Sequence, residues 1–336
     1  ELMAKNPMDL DLYHPWDVNA DRAIELALQA EGTARAYDPR ISNSDGASVD
    51  SYAGLGVYAN SNGFNGLNSS TRHSLSCSVV AQENEAMQRD YWYTTSCVAS
   101  ALESAESVGK EAARRTVRRL GGKSIATCEA PVLYAPELAR GLVGHLVSAL
   151  SGASQYRKAS FLLDSVGKQI FPDFFQLHER PHIPRAPGSR AWDSEGVATR
   201  EREIILDGKV QGYFLGSYSA RKLGLQTTAS AGGSSNLLLD HTRASFQDLL
   251  KQMGTGLFVT ELIGSGINMI TGDYSRGAAG FWVENGELQY PVEEITIASN
   301  LKEMYLGIQG IGTDIDQRGS IQTGSILVNR MTIAGQ

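Results

Sequence analysis

Hydrophobic and polar positions alternate in several different ways along these 336 residues. Residues 1–19 contain two prolines and no clear period, and read as a linker or arm. From Asp21 to about Tyr37 the apolar positions Ile24, Ala27, Leu28, Ala34 and Tyr37 fall on one side of a helix. From about Ala47 to Cys97 the pattern becomes strand-like. Short runs at Gly56–Ala59, Ser74–Ala81 and Asp90–Ser96, with Asn62-Gly63 as a turn, predict an antiparallel meander. An amphipathic helix is expected from about Val98 to Leu120, through Val108, Ala112, Val117 and Leu120.

Gly121-Gly122 marks a candidate boundary. Beyond it the pattern predicts a strand at Ala130–Tyr134 and a helix at Pro136–Leu150, then an ordered proline-rich loop over 171–190. Residues 201–215 read as strand, Asp207-Gly208 turn, strand. Residues 280–292 repeat the device around Asn285-Gly286, and Ser245–Met253 suggests a short helix between them. The class is α+β, with a meander-plus-helices domain at 20–122 and a larger β-rich domain at 123–336, antiparallel sheet dominating the second half.

Composition is that of an ordinary globular chain, 42% apolar and 20% charged, and 35 glycines between short apolar runs fit many turns. A net charge of −7 argues against gripping phosphate backbones, so no nucleic-acid partner is expected. The basic cluster Arg114, Arg115, Arg118 and Arg119 reads as a solvated helix end complementing the helix dipole. Cys77, Cys97 and Cys128 form no zinc-knuckle or redox spacing and read as reduced thiols of a cytoplasmic protein. No apolar run reaches the roughly 18 residues of a membrane span.

Several motifs suggest catalysis. His178-Glu179-Arg180-Pro181-His182 matches H-E-x-x-H formally, but Pro181 and Pro184 forbid the helix that would put both histidines on one face. Ser219-Ala220-Arg221-Lys222 matches S-x-x-K without its companion motifs, and Lys222 reads more simply as a solvated lysine at a helix start. Gly122-Lys123-Ser124 lacks the first glycine of a phosphate loop. Asp314-Ile315-Asp316 opens like a calcium loop but has Ser325 where a glutamate is needed. His145, beside the stripe Leu138, Leu142, Leu146 and Leu150, reads as a hydrogen-bonded residue at the core edge.

Longer strings carry more. ITGDYSRGAAGFWVENGE (270–287), QYPVEEITIASNL (289–301), SYSARKLGL (217–225), MGTGLFVTEL (253–262) and YRKASFLLDSVGKQIFPD (156–173) resemble the TldE/PmbA type of the TldD/PmbA (modulator of DNA gyrase) metallopeptidase family. The resemblance runs from about Asp11 to the terminal IAGQ. It implies the family's antiparallel-sheet-rich fold, and an additional N-terminal domain ahead of the linker that is absent from these residues.

In the TldD half of that pair, zinc is bound by H-E-x-x-x-H on a helix and by a cysteine near the C-terminus. The helix at 136–150 is similar to that one. Arg140 falls at the first histidine, Gly141 at the glutamate, His145 at the second histidine and Thr323 at the cysteine. One imidazole does not retain zinc, which needs three protein ligands in catalytic sites. Gly141 offers no general base. The resemblance therefore implies a non-catalytic subunit that binds no cofactor itself and works in the cytoplasm with a zinc-bearing TldD-like partner on small unfolded peptides. A homodimer in the absence of that partner is a further expectation.

Asp273, Tyr274, Ser275 and Arg276, flanked by glycines, are the expected partner or peptide contacts, the alternative being that Asp273 and Arg276 pair within a tight turn. Two other functional readings stand beside this one. The first is an independent hydrolase using His145 with ligands such as Asp164, or Ser219 with Lys222. The second is a regulatory binding protein linked to gyrase control.

Overall fold

The computed structural model describes residues 2–335, so Glu1 of the expected arm and the terminal Gln336 lie outside the described residues. The arm is extended and tied down at several points. Ala4 donates to the Gly196 carbonyl, Leu10 is buried, and the Leu12 carbonyl accepts from Thr71.

The first lobe contains α1 (Ala20–Tyr37), β1 (Ile41–Ala59), β2 (Asn65–Glu83), β3 (Ala86–Ser96) and α2 (Ala105–Val117). The three strands form an antiparallel sheet in the order β1-β2-β3. The meander is as expected, but β1 and β2 each run 19 residues, far longer than their apolar runs. Only β2 shows strict alternation, burying Thr71, His73, Leu75, Cys77, Val79 and Ala81 against the helices. β1 is an edge strand whose apolar residues are mostly exposed, so hydrophobic periodicity could not reveal its length.

Both helices begin at side-chain caps. Asn19 accepts from the Arg22 N–H at 2.9 Å, and Ser104 from the Ser107 N–H at 3.1 Å. The Ser104 cap starts α2 seven residues later than the apolar pattern suggests, after a short 3₁₀ turn at Ala99–Ala101. Of the stripe assigned to α1, Ile24, Leu28 and Tyr37 face outward, Ile24 57% and Leu28 61% exposed, while Ala34 is buried as expected. The buried side centres on Ala34 and Ala30, because α1 crosses α2 at Gly109, where a Cβ would overlap the Ala30 carbonyl oxygen.

The chain enters the second lobe at Lys123, whose N–H donates to the Pro291 carbonyl at 3.0 Å. There β4 (Cys128–Tyr134), α3 (Pro136–Ala149) and α4 (Gly152–Tyr156) are followed by β5 (Leu177–Glu179), β6 (Arg202–Leu206), β7 (Lys209–Val210), α5 (Ser217–Leu223) and β8 (Leu237–Leu239). The chain ends with α6 (Phe246–Met253), β9 (Gly256–Ile263), β10 (Asp273–Glu284), β11 (Glu287–Asn300), α7 (Leu301–Leu306), β12 (Ile308–Ile311), β13 (Ile321–Gln322) and β14 (Ile326–Ala334).

Six strands form the main sheet in the order β11-β10-β9-β4-β14-β12, and β11 also pairs with β14, so the sheet curls onto itself. A smaller sheet runs β13-β8-β5-β6-β7. Antiparallel pairs dominate, though β4–β9 and β13–β8 are parallel. Both two-residue turns are left-handed, at Asp207-Gly208 and Asn285-Gly286, as a hairpin of this length requires.

One face of the main sheet carries Val132, Tyr134, Val259 and Tyr274 and packs with Leu142, Leu146 and Leu150. Each such buried leucine stabilises the fold by roughly 1.5–3 kcal/mol. The opposite face, with Leu133, Phe258 and Phe281, takes α6, whose start is fixed by a reciprocal Ser245–Asp248 capping box. Tyr305 donates its hydroxyl to the Leu142 carbonyl at 2.9 Å and anchors α3 from the side of α7. The mixed α and β elements, rich in sheet, are those of the α+β class read from the sequence. No helix among the described residues is long and apolar enough to cross a membrane.

Glycine inside a helix ordinarily costs about 1 kcal/mol relative to alanine. At Gly109 the close crossing reverses that sign. Gly109→Ala is expected to destabilise the protein by about 2 kcal/mol in urea unfolding, and a stabilised variant would contradict this packing.

Candidate functional site

The end of α2 does not dissolve into solvent. Arg114 is exposed and pairs with Glu111 at 2.7 Å, but its three neighbours point into the seam between the lobes. Arg115 is buried and meets Asp90 at 3.4 Å and Glu137 at 2.7 Å. Arg119 bridges Asp90 at 3.8 Å and Glu261 of β9. Arg118 stacks over Phe281 at 5.0 Å, and burial, then repulsion from Arg115 and Arg114, pushes it down to about 10. The solvated-end reading is therefore corrected. The helix dipole accounts for the charge, but the partners come from α3, β9 and β10, which no local pattern announces.

Glu137 lies in the first turn of α3, so this seam fixes the start of the helix that carries the family's zinc positions. Beside it opens a cleft of about 300 Å³ lined by Trp92, Tyr93, Glu137, Arg140, Leu262 and Arg318, among others. Arg318 lies over Trp92 at 4.0 Å and Tyr93 at 4.5 Å and donates to the Tyr93 carbonyl at 3.2 Å.

Arg140 reaches Asp316 at 3.8 Å and the Tyr93 hydroxyl at 3.5 Å. Asp316, whose side chain is 5% exposed, also takes Arg318 at 2.8 Å and 3.1 Å. Its N–H donates to the Thr323 carbonyl at 3.1 Å, which brings the Thr323 position into the same network. Thr323 is fully buried, with its hydroxyl turned to the Gly324 carbonyl at 3.0 Å.

These residues do not fit zinc. A fixed cation stands at the first ligand position, Gly141 has no side chain, and Thr323 offers a neutral hydroxyl already engaged. Among the described residues, no group of three or more His, Cys, Asp or Glu side chains could hold a metal ion. Asp316 and Arg318 were not identified from the sequence as parts of this site, because only the folded loop carries them to α3. The calcium reading of 314–316 is set aside. Asp314 is taken by Ser325, which donates from its N–H at 3.0 Å and its hydroxyl at 2.6 Å.

His145 lies five residues beyond Arg140, about 7.5 Å along the helix axis and about 140° around it. It is half-buried and meets the ring of Tyr274 edge-on at 6.2 Å. No protein hydrogen bond reaches it among the described residues, so the expectation of a hydrogen-bonded core-edge histidine is corrected. Burial first, and then the Arg276 charge, holds its pKa below the ordinary range. Tyr274 and Arg276 sit two apart on β10 and so share a face, while exposed Ser275 points the other way. Asp273 is exposed and held by Thr271 at 2.6 Å and Asn300 at 3.2 Å, not by Arg276. The four residues do not act as a unit, and Asp273 and Arg276 form no turn pair.

The other motifs separate in space. His178 lies on β5 and pairs with Glu203 and, at 3.2 Å, Asp240. His182 meets Thr199 at 3.0 Å, and Glu179 is buried against Arg202 at 2.6 Å. Ser219 donates to the Gly216 carbonyl at 3.1 Å, while the Lys222 ammonium lies over Tyr218 at 5.6 Å. Asp164 is exposed in a left-handed turn, with no hydrogen bond or ion pair to His145 among the described residues. No catalytic pair is assembled at any of these places. All three cysteines are free thiols, and burial pushes Cys77 up to about 11.

Burial works against the charged form of Asp316, yet the Arg318 hydrogen bonds and the Arg318 and Arg140 charges hold its pKa below the ordinary range. Its contribution to stability is therefore complete above the unfolded carboxylate pKa of about 3.9, and is lost as pH falls through the lower native value. Asp316→Asn strands two guanidinium groups and is expected to cost about 3 kcal/mol at neutral pH in urea unfolding, with the difference from wild type narrowing below about pH 4. An equal cost at pH 7 and pH 3 would contradict the assignment.

Comparison with known proteins follows the two lobes. Residues 13–120 match the PmbA/TldA metallopeptidase central domain, and residues 127–335 match the PmbA/TldA metallopeptidase C-terminal domain. The chain is 54% identical over its whole length to metalloprotease PmbA of Escherichia coli O157:H7, covering 75% of that protein. To the metalloprotease PmbA homolog of Haemophilus influenzae it is 49% identical over its whole length and 74% of that protein. To the metalloprotease TldD homolog of the same organism it is 23% identical over 82% of the chain and 61% of that protein. Among solved structures, one from Bacteroides thetaiotaomicron described as a modulator of DNA gyrase superposes with a TM-score of 0.94 at 31% identity, covering 100% of this chain and 77% of that one. TldE from Thermococcus kodakarensis shares the fold, with a TM-score of 0.83 at 19% identity over 95% of this chain and 75% of that one. With both lobes matched by the family's domain models and a relative 54% identical from end to end, the chain belongs to the PmbA/TldD metallopeptidase family.

Proposed function

We propose that this chain is the non-catalytic, TldE-like subunit of a cytoplasmic metallopeptidase that works on small unfolded peptides. One observation supports the reading: Asp316 holds the Arg140 guanidinium at 3.8 Å, at the position the family resemblance assigns to the first zinc ligand. Gly141 and Thr323 add no carboxylate and no thiolate, so neither the metal nor the base that activates water has a place on α3. The chain is far nearer to the PmbA homolog than to the TldD homolog of one organism, which supports placing it on the PmbA side of the family.

In this reading zinc belongs to a TldD-like partner, and this subunit shapes the chamber in which an extended peptide is presented. The cleft beside α3 suits such a task. Trp92, Tyr93 and Arg318 offer flat apolar and cationic faces that accept many side chains, and extended chains bind largely through their backbone. The 19-residue edge of β1 supplies an uncovered strand for addition of a partner or peptide, or of a second copy when no partner is present.

The test is reconstitution. The purified chain alone is expected to leave an unstructured peptide intact, and addition of a TldD-like subunit is expected to produce cleavage that a chelator abolishes. Chelator-sensitive cleavage by this chain alone would overturn the accessory role.

A further inference from the structure

Arg276, Tyr274 and His145 converge beyond the cleft with no acidic partner. Tyr274 is 2% exposed, and its hydroxyl is buried beside the Tyr134 hydroxyl and the Arg276 guanidinium, both within interaction range but outside good hydrogen-bond geometry. The Arg276 Nε is likewise buried and unpartnered. Across from them His145 receives no protein hydrogen bond, and among the described residues no carboxylate lies within 4.0 Å of Arg276 or His145. Tyr134, the other nearby hydroxyl, is turned to the Met331 sulfur at 3.2 Å. A buried polar group left unpaired costs about 1–3 kcal/mol, so the Tyr274 hydroxyl and the Arg276 Nε, beside a half-buried His145, mark a place that suits a ligand acceptor.

The charge balance says which acceptor. One guanidinium, one phenol and one imidazole carry a single positive charge, which matches a carboxylate better than a dianionic phosphate. The approach is open. A Cβ added at Gly141 or at Gly144 would meet no atom within 4 Å, so the surface of α3 between Arg140 and His145 is bare. Those two residues are about 7.5 Å apart along the axis, close to the rise of two extended residues.

We infer that Arg276, Tyr274 and His145 form a recognition pocket for an oxyanion, namely the C-terminal carboxylate of a peptide lying along α3 from the interlobe cleft. Arg276 is the ion-pairing residue, Tyr274 donates the second hydrogen bond and His145 closes the pocket. Asp273 and Ser275 take no part. The identity of the ligand as a peptide rests on the accessory-subunit reading, whereas the pocket itself belongs to this chain without its partner.

The experiment is binding to the chain alone, followed by calorimetry and by the imidazole resonances of His145. The probes are Ala-Ala-Ala-Ala with a free carboxylate, the same peptide amidated, and inorganic phosphate. The free acid is expected to shift the His145 resonances and to bind at least about ten-fold more tightly than the amide, the worth of one charge-assisted hydrogen bond. Arg276→Gln should abolish that preference, and Arg276→Lys should restore part of it. The acid–amide comparison on wild type stands even if a variant misfolds. Equal binding of acid and amide, or phosphate that binds without being displaced by the acid, overturns the proposal. Since no partner is present, such a failure leaves partner-dependent cleavage to stand or fall by itself.

Discussion

The arginines at the end of α2 set the geometry on which the rest of the site depends. Arg115 and Arg119 share Asp90 of their own lobe and reach Glu137 and Glu261 of the other, so the two lobes are joined by opposed charges largely out of water. Such pairs repay little more than their desolvation, and their value lies in forbidding other arrangements. Because Glu137 opens α3, the register of that helix against the first lobe follows from the seam. Trp92 and Tyr93 are thereby placed to receive Arg318, which in turn holds Asp316 beneath Arg140.

The same helix presents two chemistries where a peptidase would have one. At its start lies a guanidinium–carboxylate network at the position the family resemblance assigns to a metal ligand, with the charge of Arg140 and Arg318 fixed at every accessible pH. Farther along, His145 faces Tyr274 and Arg276 with no acid nearby, an environment that favours neutral imidazole and leaves the Arg276 charge without a protein carboxylate. The bare backbone at Gly141 and Gly144 connects them. On the proposed reading, a chain with fixed cations at these positions holds an extended anionic-ended peptide and leaves its cleavage to a partner.

Much of this fold was legible wherever the signal is local. The Asp207-Gly208 and Asn285-Gly286 turns, α3 with Pro136 in its first turn, and α6 behind its Ser245 cap lie where turn and cap chemistry put them. Local signals failed where tertiary contact decides. β1 buries almost none of its apolar residues, and α1 buries alanines against Gly109 rather than its larger residues. Arg115, Arg118 and Arg119 resemble an ordinary helix end until β9 and β10 arrive. Arg140, Gly141, His145 and Thr323 could be named from family resemblance, but Asp316, Arg318 and Tyr93 could not. Their importance comes from loops and strands 47 or more residues from Arg140 in sequence.

The central claim is that α3 carries a salt-bridge network in place of a metal centre, and direct zinc titration tests it most simply. Wild type is expected to take up no stoichiometric zinc, whereas a chain carrying Arg140→His, Gly141→Glu and Thr323→Cys regains ligands at every family position and is expected to bind one ion per chain. One tightly held zinc per wild-type chain, unaffected by His145→Ala, would place a metal site elsewhere. If that zinc were lost with His145→Ala, α3 would itself be a metal helix. Either form of stoichiometric binding to wild type would contradict the account.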